Sequence, residues 1–179
     1  VQEIVDHYVD NKDMIFASGL VGVLAMALLV YFAGYLRKIL SAAEGPGGFI
    51  SSLVLVGASI LAVGLAIDST ISFALAETAE DVDPSAVQAM QAIWDNDFLP
   101  IALGMTLFYF SAGLSIVFTG VLPKWLGWVA IVFGVLGPTP AFFVGFLGGA
   151  IWILIVSVLL ARRAGPDTAG PVGTPSTGL

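Results

Sequence analysis

The chain of 179 residues has no cysteine, a single histidine and only six lysines and arginines. Without cysteine there is no disulfide, no thiol nucleophile and no thiolate metal ligand. His7, on the polar face of its segment, has no second imidazole with which to form a metal-binding pair. Six basic residues against thirteen acids leave a formal net charge of −7. That balance offers no basic face to neutralise phosphates, which argues against a nucleic-acid partner. No phosphate-binding glycine loop, serine-nucleophile elbow, zinc-protease signature or dinucleotide fingerprint is present, and no cofactor or metal is expected. Charged residues make up 11% of the chain, where a soluble domain carries about 25%.

What the chain does contain is hydrocarbon. Residues of hydrophobic type account for 58% of it, and they come in uncharged runs long enough to cross a bilayer. The sequence predicts an all-α, polytopic transmembrane bundle with five crossings, at about 14–36, 49–72, 98–122, 125–136 and 141–161. The lipid bilayer is thus its first partner. Before the first span, Val1, Ile4, Val5, Tyr8 and Val9 fall on one helical face, so residues 1–13 read as a short amphipathic helix at a surface. Pro and Gly in AEGPGG, 43–48, break the chain after the first span. A short interfacial helix is expected over 85–94, and Asp97 is a candidate N-cap for the third span. The stretch 125–161 is too long for one crossing. GPTP, 137–140, should divide it into two arms, the first either crossing or re-entrant. The Pro/Gly/Thr-rich tail, 164–179, reads as disordered.

Charge supplies the orientation. With five crossings, Arg37, Lys38, Lys124, Arg162 and Arg163 collect on one side, which the positive-inside rule makes cytoplasmic. Ten acids, Glu3, Asp6, Asp10, Asp13, Glu77, Glu80, Asp81, Asp83, Asp95 and Asp97, collect on the other, with the start of the chain outside and its end inside. A chain that begins outside is expected to have a further helix upstream.

Asp68 is the only acidic or basic side chain inside a predicted span. A charge at the bilayer centre costs about 3 kcal/mol on insertion scales, so such a residue is a functional candidate. Counted from Phe49 it lies ~28 Å along the helix, at the outer boundary; counted from Val54 it lies ~21 Å in and is buried. Two environments are therefore open to it: a hydrated boundary, or a polar site inside the bundle. Gly57, Leu61, Gly64, Asp68 and Ser72 share one face, whose glycines suit close helix packing. Ser72, Tyr109 and Ser111 are the candidate companions of Asp68, with Thr106, Ser115, Tyr31 and Tyr35 also within reach of such a site. Trp94, Trp125 and Trp128 are expected as interface anchors. Small residues four apart, such as Ser18 and Gly22 or Gly145 and Gly149, suit helix contacts within the bundle, in a homo-oligomer or with a membrane partner.

The segments LVYFAGYLRKILSAAEGPGG, LPKWLGWVAIVFGVLG and GFLGGAIWILIVSVLLARR together resemble an uncharacterised family of bacterial multi-pass membrane proteins, a domain of unknown function. The likeness runs from Glu3 to Arg163, and LPKWLGW with its apolar hairpin and terminal Arg-Arg is its most specific piece. It implies a membrane bundle with one more helix before Val1. It implies no activity, ligand or catalytic residue. The expected function is that of a small non-enzymatic structural or accessory protein. Two alternatives are a transporter or channel using Asp68 in an outward-facing pocket, and a sensor with an acidic outer loop. Catalysis needs paired acid, base or nucleophile groups, and the spans offer one such group.

Overall fold

The computed structural model describes residues 2–163, and among them all regular structure is helical: α1 (Gln2–Asp10), α2 (Lys12–Glu44), α3 (Ile50–Thr78), α4 (Pro84–Trp94), α5 (Phe98–Thr119), α6 (Lys124–Leu136) and α7 (Phe142–Arg163). Four segments, α2, α3, α4 continuing into α5, and α7, are long and apolar enough to cross a membrane. At thirteen residues, α6 rises only ~20 Å and is not. The tail expected to be disordered lies outside the described residues.

The helices outrun the apolar runs that predicted them. The first span was placed at 14–36, but α2 continues through Arg37 and Lys38 to Glu44. Charge ends the part of a helix that suits lipid; it does not end the helix, because Arg and Lys are good helix formers. The stop comes at Gly45 and Gly47, whose φ angles of 78° and 90° few other residues adopt. Likewise α3 runs past 72 to Thr78. In contrast α5 stops at Thr119 rather than 122, where Gly120 turns left-handed. Asp83 caps α4 by accepting the Ser85 N–H at 2.8 Å, and Pro84 fills the first position, where no N–H is needed. Asp97 stands at the N-cap of α5 but makes no capping bond, which corrects the role expected for it.

The spine of the bundle is α3 against α5. Gly57 lies on the backbone of Phe108, Gly104 on that of Leu61, and Gly64 on Ile101; a Cβ on any of the three would collide with its neighbour. The two helices interlock through the absence of side chains, as small-residue membrane contacts do. The same device seats α6 on α5, through Gly113, Gly127 and Gly134, and α7 on Met105 and Tyr109, through Gly145 and Gly149. These glycines of the small-residue faces thus serve the bundle's own contacts.

Around this spine the main core gathers Leu36, Leu40, Val54, Phe108, Ile116, Leu126 and Trp152, all at most 1% exposed. Phe108, Tyr109 and Trp152 meet edge to face, with ring centroids 4.7–6.3 Å apart. A satellite core covers one end, where Val5 and Tyr8 of α1 pack on Leu75, Ala76, Ala79 and Val87. The apolar face of α1 is therefore laid on protein.

The ends of the bundle differ in charge. The C-terminal part of α2, the start of α6 and the end of α7 bring Arg37, Lys38, Lys124, Arg162 and Arg163 toward one end, and Arg163 donates from Nη1 to the Val121 carbonyl. At the opposite, acidic end are α1, α4 and the loop 79–83.

Candidate functional site

Asp68 is placed by the α3–α5 register. The helices touch at Gly64 and Ile101, and Asp68 stands one turn, ~6 Å, beyond that contact. This brings it level with the start of α5, where Asp97 lies within electrostatic reach. Asp68 is half-buried. The buried Trp94 indole N–H faces its carboxylate without reaching hydrogen-bond geometry, and Asp97 Oδ2 is likewise buried without a partner. Among the described residues no Lys, Arg or His forms an ion pair with either carboxylate.

Two cavities meet at Asp68. The larger, about 330 Å³, descends between α2 and α7 with α3 and α5 as its back wall. That volume falls at the low end for small-ligand sites. Its walls are hydrocarbon, from Met26, Leu29, Leu61, Leu65, Phe146 and Ile153, and Tyr109 lies at its floor. Because Gly57 abuts Phe108, Tyr109 sits some eleven residues of α3, ~16 Å, below Asp68. Tyr109 is 3% exposed. Its ring is held by Phe108, Phe133 and Trp152, and its hydroxyl fits against α7 only because residue 149 is glycine. That hydroxyl makes no hydrogen bond to the protein. The smaller cavity, about 120 Å³ between α2 and α3, is lined by Ser18, Ser69, Ser72 and Asp68, with Phe73 seated over Gly19.

The structure places two of the three expected companions of Asp68 on cavities that Asp68 also lines. Ser72 donates to the Asp68 carbonyl at 3.1 Å and lines the smaller cavity, and Tyr109 closes the larger one. Ser111 is buried in α5 and lines neither, because it falls on another face of that helix. Tyr31 and Tyr35 point outward, 79% and 46% exposed. Thr106 is buried under Gly137. Of the expected anchors, Trp125 and Trp128 are more than half exposed at the basic end, as an interfacial belt requires. Trp94 instead turns its N–H inward to Asp68, and its ring borders a recess of about 540 Å³ shared with His7, Tyr8 and Gln91.

The sequence reading missed Glu44. It was read as part of a loop, yet its Oε1 accepts from the fully buried Ser115 hydroxyl at 2.5 Å and its Oε2 accepts the Ser51 N–H at 3.2 Å. A carboxylate at the N-terminus of α3 meets the positive end of that helix. The available signal was an acid just before a Gly-Pro break and the next apolar run.

Outside the spans, two hydrogen bonds from Ser85 hold the Asp83 carboxyl below its ordinary range. Burial, with Asp95 and Asp68 nearby, holds the Tyr8 phenol above its own. Tyr8 donates to Gln91 at 2.6 Å and Gln91 donates to Asp95 at 2.9 Å, which ties α1 to α4. Among the described residues there is no group of three or more His, Asp or Glu placed to hold a metal. Comparison of the chain with known protein families, curated proteins and solved structures finds no match.

Proposed function

We propose that this is a non-enzymatic, multi-pass membrane protein whose working feature is the α2–α7 cleft, and that the cleft receives a single-chain amphiphile from the bilayer. The observation that carries the reading is a hydrocarbon-walled cavity with a carboxylate at one end and a buried, unpartnered phenol at the other. The phenol oxygen is unpaired without being sealed from its surroundings, so a polar atom in the cleft can still bond it. The flanking α2 and α7 leave Ala25 and Ala150 exposed on the cleft, so a chain can enter sideways from lipid.

The transporter reading uses the same Asp68. Leu61, Leu65, Met26 and Leu29 line the way from Asp68 to Tyr109, and a hydrated ion on that path would lose its water without replacement. The lining therefore favours a hydrocarbon chain over an ion. In the proposed topology the basic end is cytoplasmic, by the positive-inside rule. Helix α6 with the turn 137–141 makes the return passage that brings Arg162 and Arg163 back to Lys124.

Blocking the cleft tests the reading. Ala150→Trp places an indole among its walls, and lipid co-purifying with the wild type should be lost from the variant when both are analysed by native mass spectrometry. Equal lipid retention in the two would remove the proposal. The topology is tested separately on the natural cysteine-free background: Ser85→Cys should react with an impermeant thiol reagent in intact cells, and Ser41→Cys only after permeabilisation.

A further inference from the structure

The polar groups around Asp68 are nearly all acceptors. Ser18 donates its hydroxyl proton to the Ile15 carbonyl at 2.8 Å, Ser69 to Leu65 at 2.9 Å and Ser72 to Asp68 at 3.1 Å. A serine whose proton is committed to its own helix offers its surroundings only lone pairs. The three hydroxyl oxygens therefore join the Asp68 carboxylate in a small cavity that accepts hydrogen bonds and carries negative charge. Asp97 adds a second carboxylate within electrostatic reach. The Trp94 N–H is directed at Asp68 and is itself without a hydrogen-bond partner.

We infer that the head of the ligand is an N–H-bearing cation, a primary ammonium on a long hydrocarbon chain, seated at Asp68 with its chain in the larger cavity. This rests on the amphiphile reading above and specifies its head. An anionic head would meet two carboxylates with no cation to offset them. A quaternary ammonium would satisfy the charge but leave the serine lone pairs without donors. A primary ammonium supplies three donors in a compact group, and charge-assisted bonds to a carboxylate are the strong ones. At the far end Tyr109, 3% exposed and lining the same cavity, has a hydroxyl free to bond a polar atom within the chain. Such an ammonium can come from a free long-chain amine or from a single-chain (lyso) ethanolamine phospholipid.

The test is binding to the purified full chain in a neutral detergent, read by native mass spectrometry. The probes are a long-chain primary amine, the alcohol and the carboxylic acid of the same chain length, the trimethylated amine, and lysophosphatidylethanolamine. The amine should bind at least about tenfold tighter than the alcohol, acid or trimethylated form. Binding of lysophosphatidylethanolamine as tight as the amine would make the source a membrane lipid; weaker binding would make it a free amine. Asp68→Asn should abolish the preference for amine over alcohol. Alcohol binding by the variant shows that it has kept its cleft. If wild type binds amine and alcohol alike, or if Asp68→Asn keeps the preference, the inference about the head is wrong and the cleft reading stands. If no probe binds the wild type, both fall.

Discussion

The two ends of the bundle treat their polar groups in opposite ways. At the basic end, Glu44 accepts from Ser115 and from the start of α3, Trp152 donates to the Leu126 carbonyl at 2.9 Å, and Arg163 donates to Val121. These groups join one helix to another, and they are consumed in doing so; the exception at this end is the Ser51 hydroxyl, buried without a partner. At the acidic end, Asp68, Asp97 and Trp94 face one another without closing a hydrogen bond, and below them Tyr109, whose hydroxyl has no partner, lines a cavity. A protein of few polar groups leaves buried ones open mainly where something else is to fill them. The basic end carries most of the polar contacts between helices, and the proposed site lies at the acidic end.

This contrast predicts where substitutions hurt. Trp152→Ala should do the most damage. It removes a side chain only 1% exposed that joins α7 to α6 and borders Phe108 and Tyr109. Large-to-small changes of this kind cost about 3–5 kcal/mol, which should lower the thermal midpoint in detergent by about 10 °C. Glu44→Ala comes next. It strands the Ser115 hydroxyl, at 0% exposed, and leaves the Ser51 N–H without its acceptor, at a cost of about 2 kcal/mol in the same measurement.

Acid should loosen the α4 cap while sparing the spine. The folded-state pKa of Asp83 is depressed by its bonds from Ser85. Its contribution is therefore fully present above the unfolded value of about 3.9 and is lost as the pH falls through the lower, folded value. Hydrogen exchange should show α4 amides opening below about pH 4 while α3 and α5 stay protected. An Asp83→Asn variant should flatten that pH dependence. Opening of α4 between pH 8 and 6 would place the cause elsewhere.

Much of the basic end was hidden from the sequence, and much of the acidic end was legible. Apolar runs marked α2, α3, α5 and α7, and GPTP marked the break between α6 and α7, because hydrocarbon length and missing backbone donors are local properties. The helix ends were misjudged where charge was read as a stop: α2 runs on to Glu44, and that extra length lets its carboxylate reach both α3 and α5. Such a contact links residues 71 apart and leaves no periodic trace. The spacing of Gly57, Gly64 and Asp68 on one face did point to a packed helix carrying an acid. What spacing did not convey was rotation. Tyr109 faces the cleft and Ser111 does not, though both lie in α5, and Trp94 turns inward where a lipid-facing anchor was expected.

The thermal midpoints of Asp68→Asn and Glu44→Ala, taken in the same detergent without added amphiphile, test the contrast most directly. A site residue left open for a ligand does little for the empty fold. Asp68→Asn should therefore melt within about 1–2 °C of wild type or above it, since one mutual carboxylate repulsion is relieved, and Glu44→Ala should melt well below. If Asp68→Asn is instead the more damaging of the two, Asp68 is part of the fold, and the acidic end is not an open site.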